Sequence, residues 1–60
     1  MVEMKELRKK RGLTQAELGE RAGVARQTIC EIERGNRKPS IPLAKKLGKL
    51  LNVDWYMFYD

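Results

Sequence analysis

Apolar residues recur at helical spacing along the whole chain, and no stretch shows the period-two alternation of a strand. In residues 2–11, Met4, Leu7 and the stem of Arg11 fall on one side while Lys5, Lys9 and Lys10 turn elsewhere, and Gly12 fits a helix stop. Leu13 follows as a buried linker. Thr14 and Glu17 then make a capping box. The threonine oxygen accepts from the third helical amide as the glutamate reaches back, so a second helix is predicted to start at Gln15. Its inner face holds Leu18 and Ala22. A glycine inside a helix is about 0.5–1 kcal/mol worse than alanine, so Gly19 points to close packing at that position, with a tolerated neutral glycine as the alternative. Gly23 sits where the chain must turn sharply.

A third helix is predicted from about Ala25 to Arg34, with Val24, Ile29 and Ile32 inward and Gly35 closing it. Ala25 stands where Ser or Thr would add about 1 kcal/mol as an N-cap, so this helix depends on tertiary packing. Residues 36–39 form a polar, basic loop, and Ser40 caps a fourth helix that takes Pro42 in its first turn. The fourth helix has the clearest period: Ile41, Ala44, Leu47, Gly48 and Leu51 share one side, and Lys45, Lys46 and Lys49 occupy the other. Asn52 ends it. Asp54 caps a final short helix, Trp55 to Tyr59, which holds all four aromatic residues and reads as a lid on the open end of a small bundle. The expected fold class is all-α, a compact five-helix bundle forming a single domain over residues 1–60, with no internal repeat.

Composition adds a partner and removes most chemistries. A chain of 60 residues buries only about 60% of the surface its unfolded form exposes, so the core is small. With 42% hydrophobic and 35% charged residues it still lies within the range of ordinary globular domains and outside that of disordered chains. Thirteen Lys and Arg against eight Asp and Glu give a formal charge of +5, which favours a polyanionic partner without choosing among DNA, RNA and a membrane surface. There is no His, and Cys30 is the only Cys. A zinc site, a Cys–His nucleophile and an imidazole base are therefore excluded by inventory. Without a glycine-rich phosphate loop or a convergent carboxylate pair, neither an enzyme nor a cofactor or metal is expected. One Cys makes no intramolecular disulfide, and no apolar run suits a membrane span or a signal peptide, so no membrane partner is expected and the default location is cytoplasmic.

The features that decide function lie between residues 14 and 35. Leu18, Ala22, Val24, Ile29 and Ile32 are apolar, residue 19 is small and residue 23 is glycine. At these separations they describe two helices packed near a right angle about a fixed turn. The second of them leaves Arg26, Gln27, Thr28 and Glu31 on a free face, a device for presenting side chains to a groove in DNA.

On the segments LTQAELGERAGV, TICEIERGNRKPS and KLLNVD, and from about Met4 to Phe58, the chain resembles the phage repressor and Cro family, also called the xenobiotic-response-element family. The resemblance implies a lambda-repressor-like domain of five helices, a symmetric dimer on a pseudo-palindromic operator, and the helix of about 25–34 laid in the major groove of double-stranded DNA. Gln15 matches the glutamine that, with its helix terminus, holds a backbone phosphate, and free amides with the positive end of the dipole suit that role. Arg26, Gln27, Thr28 and Glu31 match base-facing positions. By chemistry, Arg26 suits the two guanine acceptors, Gln27 adenine, and Thr28 a thymine methyl or a phosphate. Glu31 either accepts from cytosine N4 or pairs within the protein, with Arg34 or Gln27. Asn36, Arg37 and Lys38 match the loop that grips the phosphate backbone, with Arg34 assisting. Lys9, Lys10 and Arg11 either extend that footprint or solvate a helix face. Arg8 and Glu33 correspond to a partly buried ion pair joining the first helix to the end of the third.

Two departures bear on this reading. Ala25 stands in place of the family's Ser or Thr, and the 60 residues include no effector, oligomerisation or cleavage domain, so no small-ligand site is expected among them. Dimerisation then falls to the domain itself. Leu43 and Leu50, seven residues apart and off the main core stripe, are expected to form a symmetric interface with Met57 or Tyr56, setting two recognition helices about 34 Å apart. Cys30 reads as a small core-edge residue rather than a redox sensor. The function expected is that of a sequence-specific DNA-binding transcriptional regulator, a repressor. The alternatives are an antitoxin that autoregulates on DNA while a toxin partner docks elsewhere, and a protein-interaction module of the same fold. Gln15, Arg26, Gln27 and the loop 36–38 argue against the last.

Overall fold

Local chemistry sets the end of each helix. The computed structural model describes residues 3–59 and shows α1 (Met4–Lys10), α2 (Gln15–Ala22), α3 (Arg26–Arg34), α4 (Ile41–Leu51) and a closing 3-10 helix, Trp55–Tyr59. Residue 2, the expected start of the first helix, lies outside the described residues. Thr14 accepts from the Glu17 amide at 3.0 Å while the Glu17 carboxylate accepts from the Thr14 amide at 2.9 Å, so the capping box is complete. The Thr14 backbone amide, with its hydroxyl second, holds the Glu17 carboxyl below the usual carboxylate range. That contribution to stability is present above the ordinary carboxylate pKa and fades as pH falls through the lowered one. Ser40 caps α4 through the Leu43 amide, whereas Ala25 makes no side-chain cap on α3. Gly23 and Gly35 close α2 and α3 in the left-handed region at φ 77° and 81°.

The expectation of five α-helices is corrected here. The last element is a 3-10 helix, held in part by the Met57 amide donating to the Asp54 carbonyl at 3.1 Å. Five residues allow barely more than one α turn, and i→i+3 bonds close such a short piece more readily. The Asp54 side chain accepts from the Tyr56 hydroxyl.

The core gathers Met4, Leu18, Ala22, Ile29, Leu47 and Leu51, with Leu18, Ile29 and Leu47 fully buried. Three expected positions differ. Arg11 lies beyond the end of α1 and is exposed, and Arg8 is the buried basic residue of that helix. Leu13 is half-buried. Ile41 is 54% exposed, because at about 100° per residue it sits a quarter turn from the stripe of Ala44, Leu47 and Leu51. The aromatic lid is also thinner than expected: Phe58 packs on the core, but no residue of the 3-10 helix is buried and Tyr56 is exposed.

Gly19 and Gly48 show one device used twice, without an internal repeat in the sequence. Each lies within a helix four residues before a left-handed end, Gly23 or Asn52, and each carbonyl accepts from the valine that follows, Val24 at 2.8 Å and Val53 at 2.9 Å. A Cβ on Gly19 would stand 2.7 Å from the Val24 carbonyl oxygen, and one on Gly48 2.7 Å from that of Val53. The close packing expected at Gly19 is real, and its partner is the turn backbone rather than a neighbouring helix.

Candidate nucleic-acid interface

A chain of side-chain hydrogen bonds runs from the interior to the first residue of α3. Arg8 donates from Nε to Glu33 Oε2 at 2.7 Å and from Nη2 to Oε1 at 3.3 Å, and its Nη1 donates to the Leu13 carbonyl at 2.7 Å. Both partners of this pair are nearly buried, with side-chain exposures of 9% and 5%. Glu33 Oε1 also accepts from Gln15 Nε2 at 3.0 Å, and Gln15 Oε1 accepts from Arg26 Nη1 at 3.3 Å. The two helices of the pair and the end of α1 are thus joined through one carboxylate. The resemblance implies the pair of Arg8 with Glu33 and a Gln15 turned toward phosphate, whereas the structure engages both ends of the Gln15 amide inside the protein.

Helical spacing puts Gln27, Glu31 and Arg34 on the outward side of α3, with Thr28 and Cys30 on its two flanks, Arg26 at its start and Ile29 pointing inward. Arg26, Gln27 and Arg34 are exposed, while Thr28, Cys30 and Glu31 are half-buried. Cys30, expected as a core-edge residue, is half-buried one position beyond Ile29, which agrees with that expectation. Glu31 pairs neither with Arg34 nor with Gln27. Its Oε1 stands 3.6 Å from Arg37 Nη1, in the loop that follows.

In that loop Asn36, Arg37 and Lys38 are exposed and Pro39 is buried. The Asn36 amide donates to the Glu31 carbonyl at 3.0 Å, and the Tyr59 hydroxyl donates to the Pro39 carbonyl, so the loop is fixed from both sides. The Tyr59 tie spans 20 residues and leaves no trace in periodicity. Exposed Lys9, Lys10 and Arg11 lie at the end of α1.

The structure does not bring Leu43, Leu50 and Met57 into one patch. Leu43 and Leu50 are half-buried on one flank of α4 and pack against the core. Met57 lines a cleft with Lys45, Gly48, Lys49 and Trp55 on the opposite flank, where Lys45 Nζ lies 5.6 Å from the Trp55 ring centre. Among the described residues, the exposed large apolar side chains are Ile41, Tyr56 and Met57. Among the described residues no helix is long and apolar enough to cross a membrane, and no cluster of acidic residues and cysteine has the make-up of a metal site.

The helix-turn-helix family profile matches residues 4–58. The uncharacterized HTH-type transcriptional regulator YqaF of Bacillus subtilis is 39% identical over 57 residues, a match spanning 95% of this chain and 75% of that protein. The N-terminal DNA-binding domain of SinR from Bacillus subtilis superposes with a TM-score of 0.82 at 36% identity, covering 95% of this chain and 84% of that one. A chain of the SinR–SinI protein complex superposes at a TM-score of 0.81, also at 36% identity, with 56% of its length covered. The chain belongs to the helix-turn-helix family of Cro/C1 type, and it is a DNA-binding domain of a transcription regulator.

Proposed function

We propose that this helix-turn-helix domain reads a specific DNA sequence with α3 in the major groove, as a dimer on a palindromic operator, and that it represses by occupying that site. The observation that carries the reading is the tethered Arg26. Its guanidinium is exposed at the start of α3 while the Arg8–Glu33–Gln15 chain fixes it from behind, which suits a bidentate donor to guanine O6 and N7. Gln27 then faces adenine, Thr28 a thymine methyl or a phosphate, and Glu31 an amino group. Phosphates are held by the start of α2 at Gln15, by Arg34, and by the loop of Asn36, Arg37 and Lys38. Because the Gln15 amide is engaged at both ends, the contact at α2 falls to backbone amides and the positive end of the helix dipole.

The exposed Met57, beside Trp55, supports contact with a second copy, in place of Leu43 and Leu50, which pack against the core. A regulator that occludes its operator needs only to remain bound, so repression requires no further surface. Selection from a random-duplex library at physiological salt tests the reading. Enrichment of one palindromic motif is the expected result. A single unrepeated half-site removes the dimer, and no enrichment removes sequence-specific recognition.

A further inference from the structure

Glu31 projects from the middle of the outward side of α3, and Arg37 from the loop behind it, yet Arg37 Nη1 stands 3.6 Å from Glu31 Oε1. The two side chains are 38% and 56% exposed. An ion pair this open is weakly held and exchanges partners readily.

In the major groove a carboxylate meets mostly the wrong partners. Guanine shows N7 and O6, thymine O4 and adenine N7, all acceptors, with phosphates along both walls; only the amino groups of cytosine N4 and adenine N6 can donate to it. Lowered onto an edge without a donor, Glu31 loses water and gains nothing in return, so it retains Arg37 as its counterion. Arg37 is then withheld from the DNA backbone. Over an amino group the exchange runs the other way: the base satisfies the carboxylate, and the guanidinium is released to a phosphate, displacing one condensed counterion.

We infer that Glu31 is a specificity-determining residue that acts through Arg37, holding one phosphate-binding cation back until α3 meets an amino-bearing base edge at that position. The inference rests on the proposed seating of α3 in the major groove. It differs from a simple base contact in its consequence for non-cognate DNA, where Glu31 lowers affinity by sequestering a cation.

The test uses the whole chain on a 20-base-pair duplex of random sequence, with affinity measured from roughly 50 to 200 mM salt, the range over which phosphate contacts separate clearly. The proteins are wild type, Glu31→Gln, Arg37→Ala and the double variant, with far-UV circular dichroism confirming equal helix content. Glu31→Gln is expected to bind about threefold to tenfold tighter at the low-salt end, with a log–log salt slope steeper by about 0.9, the increment for one further phosphate contact. In the Arg37→Ala background the same substitution should leave the slope unchanged, since no cation remains to be released, and any affinity gain there reflects only the lost desolvation of the carboxylate. An unchanged slope in Glu31→Gln, or a steeper slope that persists without Arg37, overturns the inference and leaves the groove reading standing. Wild-type protein that shows no salt-dependent binding to any duplex removes both.

Discussion

Arg26 arrives at its proposed reading position with its guanidinium already restrained by Gln15, so less side-chain freedom is lost when it meets a base. Replacing it with alanine is expected to weaken binding to the selected operator by about 1–3 kcal/mol and to random DNA by much less, the signature of a bidentate base contact. Competition titrations on the two duplexes measure the difference, and equal losses would reassign Arg26 to the phosphate backbone. Glu33 acts at the other end of the same chain. It is nearly buried and accepts from both Arg8 and Gln15, so Glu33→Gln leaves the Arg8 guanidinium with no carboxylate in a poorly solvated place. Removing one member of a buried pair typically destabilises by about 3 kcal/mol or more. In a domain of this size that lowers Tm by roughly 10–20 °C. Thermal unfolding followed by circular dichroism provides the measurement, and an unchanged midpoint would mean that the pair is open to solvent in solution.

At the scale of elements, the two glycines inside helices invert an ordinary rule. Alanine in place of a mid-helix glycine normally stabilises by about 0.5–1 kcal/mol. At Gly19 and Gly48 the added methyl would stand 2.7 Å from a backbone carbonyl oxygen of the turn that follows, which can move only by opening the helix end. Overpacking of this kind destabilises by about 1–3 kcal/mol, enough to outweigh the propensity gain. Gly19→Ala and Gly48→Ala are each expected to unfold at lower urea than wild type. Gly19→Ala should also weaken DNA binding, since Val24 and Ala25 lead directly into α3, whereas a stabilised Gly19→Ala would show that the turn yields easily. The uncapped start of α3 fits the same picture: the orientation of this helix comes from the turn and from Ile29 in the core, with no cap from Ala25.

For the molecule as a whole, charge and apolar exposure constrain where a second copy of the proposed dimer sits. A charge of +5 per copy opposes association unless the contact is apolar and its cations stay at the rim. The face bearing Met57 and Trp55 meets the first condition, and Lys45 and Lys49 edge the cleft beside Met57. Met57→Asp is expected to shift the proposed dimer to monomer in sedimentation velocity while leaving the fold intact, because that side chain already reaches solvent. A variant that sediments as wild type would refute this face. Leu50→Asp is a poorer test, since Leu50 packs against the core and its loss would confound unfolding with dissociation.

What was legible in the sequence is what depends on neighbours along the chain. The capping box at Thr14 and Glu17, the left-handed stop at Gly23, the Ser40 cap and the stripe of Ala44, Leu47 and Leu51 each lie within about three turns of helix, so residue type and spacing suffice to specify them. The ion pair of Arg8 with Glu33 was expected only through family resemblance, because no local pattern links residues 25 apart. Tertiary structure alone decided the rest: that Gln15 faces Glu33 and Arg26, that Glu31 finds Arg37, that Tyr59 holds Pro39, and that Met57 lies on the flank of α4 away from Leu43 and Leu50. Helical periodicity fixes which side of its own helix a residue occupies. The angle at which that helix crosses its neighbours determines what stands opposite, and the polar contacts of this interface are all made across such crossings or their loops.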